Sequence, residues 1–155
     1  MVATRTSPAR GVARRDEDFR AWALEQARLL RERRLDALDH ELIAGEFEAS
    51  GAEQEHALEW SLRVLLVPLL NWRYQPSRRS RSWRAAIVRE RLAIPRRLGR
   101  NPSLRRRLPE LFREAYRDAR KEAAAETGSD LGRFPVEPSF TLEEALDEEF
   151  WPEAE

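Results

Sequence analysis

The run from Leu58 to Trp72, LEWSLRVLLVPLLNW, leaves this chain little choice of fold. Leu58, Leu62, Leu65, Leu66, Leu69 and Trp72 recur at intervals of three and four, the period of a helix, and the middle of the run, VLLVPLL, is apolar on every side. A helix with no polar face must be wrapped by other helices, so the run predicts a central core helix over Glu53 to Gln75. Pro68 removes one backbone hydrogen bond from it. Gln75-Pro76 closes it, because the residue before proline disfavours helical geometry.

The rest of the chain supplies wrapping helices. DEDFRAWALEQARLLRERR opens with acids suited to a helix N-terminus and puts Phe19, Trp22, Ala23, Ala27 and Leu30 on one face. Leu38, Leu42, Gly45 and Ala49 share the face of a second helix, with an end or bend expected at Ser50-Gly51. Ser80 or Ser82 caps a helix carrying Trp83, Ile87, Ile94 and Leu98 inward. Asn101-Pro102 starts another, with Leu104, Leu108, Leu111, Phe112, Ala115 and Ala119 on one face and Gly128 at its end. Thr141 and Glu144 have the spacing of a capping box for a short last helix, after which Phe150-Trp151 reads as an anchor onto the bundle. No stretch alternates with the two-residue period of a strand. The expectation is an all-α fold: a compact bundle of five to six helices, with a long central hairpin-like pair and a short C-terminal helix.

At 155 residues the chain suits one domain able to bury a core, expected over 16–155 behind a disordered basic tail at 1–15. Absence of cysteine excludes disulfides, thiolate metal sites and cysteine nucleophiles. No apolar run approaches the roughly 20 residues of a membrane span, so a protein without membrane contact, in the cytoplasm, is expected. The net charge of zero hides segregation: residues 16–60 carry −8, 61–121 carry +14 and 122–155 carry −10. A basic block between acidic arms either meets an outside polyanion such as nucleic acid or is neutralised within the chain. Lys121 is the single lysine among 28 basic residues, so the cations are almost all planar, bidentate guanidiniums.

Catalytic patterns are incomplete. HELIA at 40–44 begins like the helical zinc-protease motif, but Ala44 stands where the second histidine must lie. Glu53 and His56 have Glu-x-x-His spacing without the second such pair that a dimetal bundle requires. No nucleophile elbow, Walker loop or dinucleotide turn is present. No cofactor, metal or catalytic residue is therefore assigned. The residues that attract attention lie in NWRYQPSRRSRSWRAAI, from Asn71 to Ile87. Arg73, Arg78, Arg79, Arg81 and Arg84 alternate there with Trp72, Tyr74 and Trp83, which is the composition of a phosphate-gripping, base-stacking surface. The same residues suit a buried joint, its guanidiniums stacked on indoles and paired with carboxylates such as Glu46 and Glu48.

These residues carry a resemblance as well. DFRAWALEQARLLRERRLDALD, WRYQPSRRSRSWRAAI, NPSLRRRLPELFREAYRDAR and TLEEALDEEFWPE resemble, in order and over about residues 16–153, the uncharacterised bacterial family known as domain of unknown function twenty-nine. The resemblance implies a small helical bundle and no agreed activity. Glu46, Trp72, Tyr74, Gln75, Arg78, Arg79, Arg81, Trp83 and Arg84 match its pattern. Gly45, Pro68 and Asn71 depart from it, standing where the family pattern has a second glutamate, a histidine and a lysine. The expected function is that of a non-enzymatic helical module working through a protein or nucleic-acid partner. The alternatives are a metal-dependent nuclease or other phosphate-processing enzyme using Glu46 and Glu48 beside the arginines, and an antitoxin-like regulatory partner.

Overall fold

The computed structural model describes residues 14–155, so residues 1–13 of the expected basic tail lie outside it. Among the described residues there are five α-helices and no strand: α1 (Phe19–Arg31), α2 (His40–Tyr74), α3 (Arg81–Arg100), α4 (Leu108–Thr127) and α5 (Leu142–Leu146), with short 3-10 turns between them. The fold is all-α, as the periodicity predicts. It divides into two compact units, one ending at Ser50 and the other running from Gly51 to Glu155.

In the first unit, Asp18 caps α1 by accepting from the Ala21 N–H at 2.9 Å. The helix ends with Arg33 in the left-handed region at φ 58°, where the Arg34 N–H reaches back to the Leu29 carbonyl at 2.9 Å. Asp39, the residue before α2, is the polar tie of this unit. Its Oδ2 accepts from the Trp22 indole at 2.6 Å and from Gln26 at 3.3 Å, and its own N–H donates to Gln26 Oε1 at 2.9 Å.

Two boundaries differ from the sequence expectation. The helices expected on either side of Ser50-Gly51 are one continuous helix, α2, of 35 residues. A single interior glycine costs about 1 kcal/mol, which the surrounding Glu, Ala and Gln tolerate. The helix expected from Asn101-Pro102 is instead a 3-10 turn over Pro102–Arg106, and α4 starts at Leu108 with Pro109 in its first turn. Pro109 has no N–H to continue a helix from Pro102 and its ring would crowd the carbonyl four residues back, yet it suits the first turn of a new helix, so the chain turns first and α4 begins afterwards.

The core of the second unit is laid down by α2. Leu58, Leu62, Leu65, Leu66, Leu69 and Leu70 are fully buried and meet Ile87, Ile94 and Leu98 of α3, Leu111, Phe112, Ala115 and Ala119 of α4, and Phe134 and Phe140 beyond it. Gly128, at φ 65°, ends α4 in the left-handed turn that glycine adopts without strain. Thr141 and Glu144 form the capping box of α5, at 2.7 and 3.1 Å. Among the described residues, no helix is long and apolar enough to cross a membrane.

Tyr116 of α4 latches the loop that follows, its hydroxyl donating to the Pro135 and Glu137 carbonyls at 3.0 and 3.2 Å. Burial pushes this phenol up to about 12. Because the folded state holds the proton more tightly than the unfolded chain, the contribution is complete below pH ~10 and is lost as pH rises towards ~12. Chemical denaturation followed across that window is expected to show falling stability. In Tyr116→Phe, stability at pH 8 drops by about 1 kcal/mol and the alkaline slope becomes shallower; an unchanged slope would contradict the assignment.

Candidate functional site

The arginine-rich segment is the connection from α2 to α3. Gln75 and the 3-10 turn Pro76–Arg78 stop α2, and Ser80 starts α3 by accepting from the Trp83 N–H at 3.2 Å. The buried Gln75 side chain donates to Ser129 Oγ, just beyond α4. Tyr74 is buried edge-on against Phe134, with centroids 5.6 Å apart.

Each guanidinium has a distinct position. Arg78 Nη1 donates to the Thr127 carbonyl at 2.6 Å, one of the acceptors left over at the end of α4. Arg79 Nε donates to the Trp72 carbonyl at 2.9 Å near the end of α2, and its guanidinium lies 4.9 Å over the Trp72 ring. Arg84 lies 5.3 Å over the ring of Trp151. Arg73 donates to Glu155 at 2.9 and 3.1 Å and to the Ser139 carbonyl at 3.4 Å. Arg81 is exposed and makes no hydrogen bond or ion pair among the described residues. Trp83 is half-buried and donates its indole N–H to Glu126 at 3.2 Å.

The structure thus gathers Trp72, Arg73, Tyr74, Arg78, Arg79, Arg81, Trp83 and Arg84 around one connection in the second unit. Glu46 and Glu48 belong to the first unit, where Glu46 is engaged by Arg15 and Glu48 is exposed. Among the described residues, Arg78, Arg79, Arg81 and Arg84 pair with no carboxylate; three of them are occupied by main-chain carbonyls or an indole instead. No three His, Asp or Glu side chains among the described residues gather closely enough to hold a metal ion.

One structural residue near this connection belongs to no motif of the sequence. Arg91, only 2% exposed, sends Nε to the Ala145 carbonyl at 2.9 Å, Nη2 to the Phe150 carbonyl at 2.8 Å and Nη1 to the Glu148 carbonyl at 3.4 Å. It fastens the segment after α5 onto α3. Burial lowers its affinity for its proton, and the nearby Asp147 and Glu148 act against that. Its guanidinium also lies 5.4 Å from the Trp151 centroid, and Trp151 packs on Trp72 at 4.8 Å. A signal was present in the sequence: Arg91 occupies the same helical stripe as Ile87, Ile94 and Leu98.

The sequence model described as domain of unknown function DUF29 matches residues 15–151. The chain belongs to this family. The DUF29 match takes in both units, the arginine-rich connection, Arg91 and Trp151. No curated protein and no solved structure shows significant similarity to the chain. Asn71, which lies within the matched region, is buried and donates from Nδ2 to Glu126 at 2.8 Å.

A graded series follows from these contacts. Arg91→Met should cost about 3 kcal/mol, because three acceptors lose a charged donor. Arg84→Ala should cost about 0.5–1 kcal/mol through one exposed cation–π contact, and Arg106→Ala should stay within about 0.5 kcal/mol. Thermal denaturation of the three variants measures the order; Arg91→Met matching Arg106→Ala would contradict it.

Proposed function

We propose that the chain is a non-enzymatic helical module that acts by protein contact, through an apolar groove in its first unit. The observation that carries this reading is the surface between α1 and the first turns of α2. Phe19, Trp22, Ala27, Leu30, Ile43 and Phe47 line a groove of about 280 Å³ there. Phe47 is 72% exposed, Leu30 56% and Phe19 52%. Single exposed apolar side chains are ordinary, but a contiguous set on a helical pair is the form that receives a partner's amphipathic helix or loop. The arginine-rich connection supports the reading from the other side, since most of its guanidiniums are committed to internal carbonyls and rings. The proposed setting is a bacterial cytoplasm, in keeping with the distribution that the family resemblance implies.

Nucleic-acid contact is a second reading, favoured by one observation. Arg81, Arg96, Arg100, Arg105 and Arg106 are exposed and unpaired among the described residues, and no acid interrupts the chain between Glu90 and Glu110. Such exposed cations would bind polyanions in a strongly salt-dependent way.

A photo-crosslinking residue placed at Phe47 or, separately, at Arg106 in the native host distinguishes the two readings. Protein contact predicts a discrete protein adduct from position 47 and none from 106. Nucleic-acid adducts from 106 with nothing from 47 would overturn the first reading in favour of the second.

A further inference from the structure

Within the second unit, α2, α3 and α4 bound a groove of about 330 Å³ whose walls include Trp60, Val64, Pro68, Trp83, Glu122 and Glu126. Two indoles and two carboxylates on walls that are otherwise apolar apart from Ser82 are an unusual set. Two of these wall residues, Trp60 and Glu122, are already engaged by a cation. The Arg63 guanidinium lies 4.7 Å over the Trp60 ring, and its Nε is 3.3 Å from Glu122.

Trp83 and Glu126 repeat the pair without the cation. Glu126 forms no ion pair among the described residues, although it sits in a chain crowded with arginine. Both of its oxygens are held by neutral donors: Oε2 by Asn71 Nδ2 at 2.8 Å and Oε1 by the Trp83 indole N–H at 3.2 Å. Asn71 is fully buried, and its Oδ1 finds no partner among the described residues. These two donors restrict the Glu126 carboxylate in orientation and leave it, solvent-exposed, without a cationic partner among the described residues. With its N–H spent on Glu126, Trp83 offers the groove its ring. A ring face beside an oriented carboxylate without a cationic partner is the chemistry that receives a guanidinium or an alkylated ammonium.

We propose that this groove binds a cationic group, guanidinium or alkylammonium, between the Trp83 ring and the Glu126 carboxylate. Val64, Val67 and Pro68 of the groove support the apolar part of the ligand. The site is separate from the apolar groove of the first unit and does not depend on the function assigned to that groove. The cation has two possible sources, a free quaternary amine or an arginine side chain of a polypeptide, and they share this chemistry.

Indole N–H resonances of the 15N-labelled full chain read the site directly. Tetramethylammonium and N-acetyl-arginine amide are titrated in parallel with the neutral isostere neopentyl alcohol. The expected result is a saturable shift of the Trp83 indole signal with at least one cation, and no shift of Trp22, whose N–H is held by Asp39 in the first unit. Tighter binding of tetramethylammonium identifies a free amine as the source, and tighter binding of the arginine amide identifies a side chain. Glu126→Gln should weaken the interaction at least about tenfold, an effect of one counter-charge. Ala86→Met, which crowds the groove and keeps the carboxylate, should weaken it as well. Trp83 shifts that are absent with both cations, equal with neopentyl alcohol, or unchanged in both variants would overturn the proposal.

Discussion

A guanidinium withdrawn from water must find acceptors for its N–H groups, and Arg91 finds them in the main chain of residues 145–150. The segment after α5 has too little regular structure to satisfy its own carbonyls, so each partner supplies what the other lacks. Docked there, the segment presents Phe150 to Phe140 and Trp151 to Trp72, closing one side of the core. Trp151 also lies beneath Arg84 and beside Arg91, so that α2, α3 and the last segment meet on a single indole. Glu155 completes the attachment, its N–H donating to the Arg73 carbonyl at 3.1 Å while its carboxylate receives the Arg73 guanidinium.

The arginine-rich connection belongs to the same construction. A sharp turn between two long helices exposes carbonyls at the end of the first, and the neighbouring end of α4 exposes more. Arg79 and Arg78 answer these ends respectively, while Ser80 supplies the acceptor that α3 needs to begin. Cations near helix C-termini also complement the macrodipole there. Lysine would serve less well, since the planar guanidinium donates to a carbonyl and stacks on an indole at once, as Arg79 does on Trp72.

Much of this architecture is legible in the residues. The leucine stripe of α2, the Ser80 cap, the Gly128 stop and the Thr141–Glu144 capping box all depend on neighbours a few residues away, and local spacing reveals them. Partner choice is less legible. Arg78 meets the carbonyl of Thr127, 49 residues on, and a carbonyl acceptor leaves no trace in a residue alphabet that records only side chains. Segment charges point to carboxylate partners, which Arg73 finds in Glu155 and Arg63 in Glu122, whereas Arg78 and Arg79 use the main chain. The groove beside Trp83 was hidden for a related reason, because Asn71 and Glu126 are 55 residues apart and neither is unusual alone. Arg91 was within reach, as a charged residue on an apolar stripe demands a partner.

By these contacts the last segment and the α2–α3 connection form one cooperative joint. Amide hydrogen exchange in wild type and Trp151→Ala tests it most directly. If the joint is shared, the substitution accelerates exchange in residues 72–84 as well as in 141–150. Faster exchange confined to 141–150, with 72–84 as protected as in wild type, would contradict the claim.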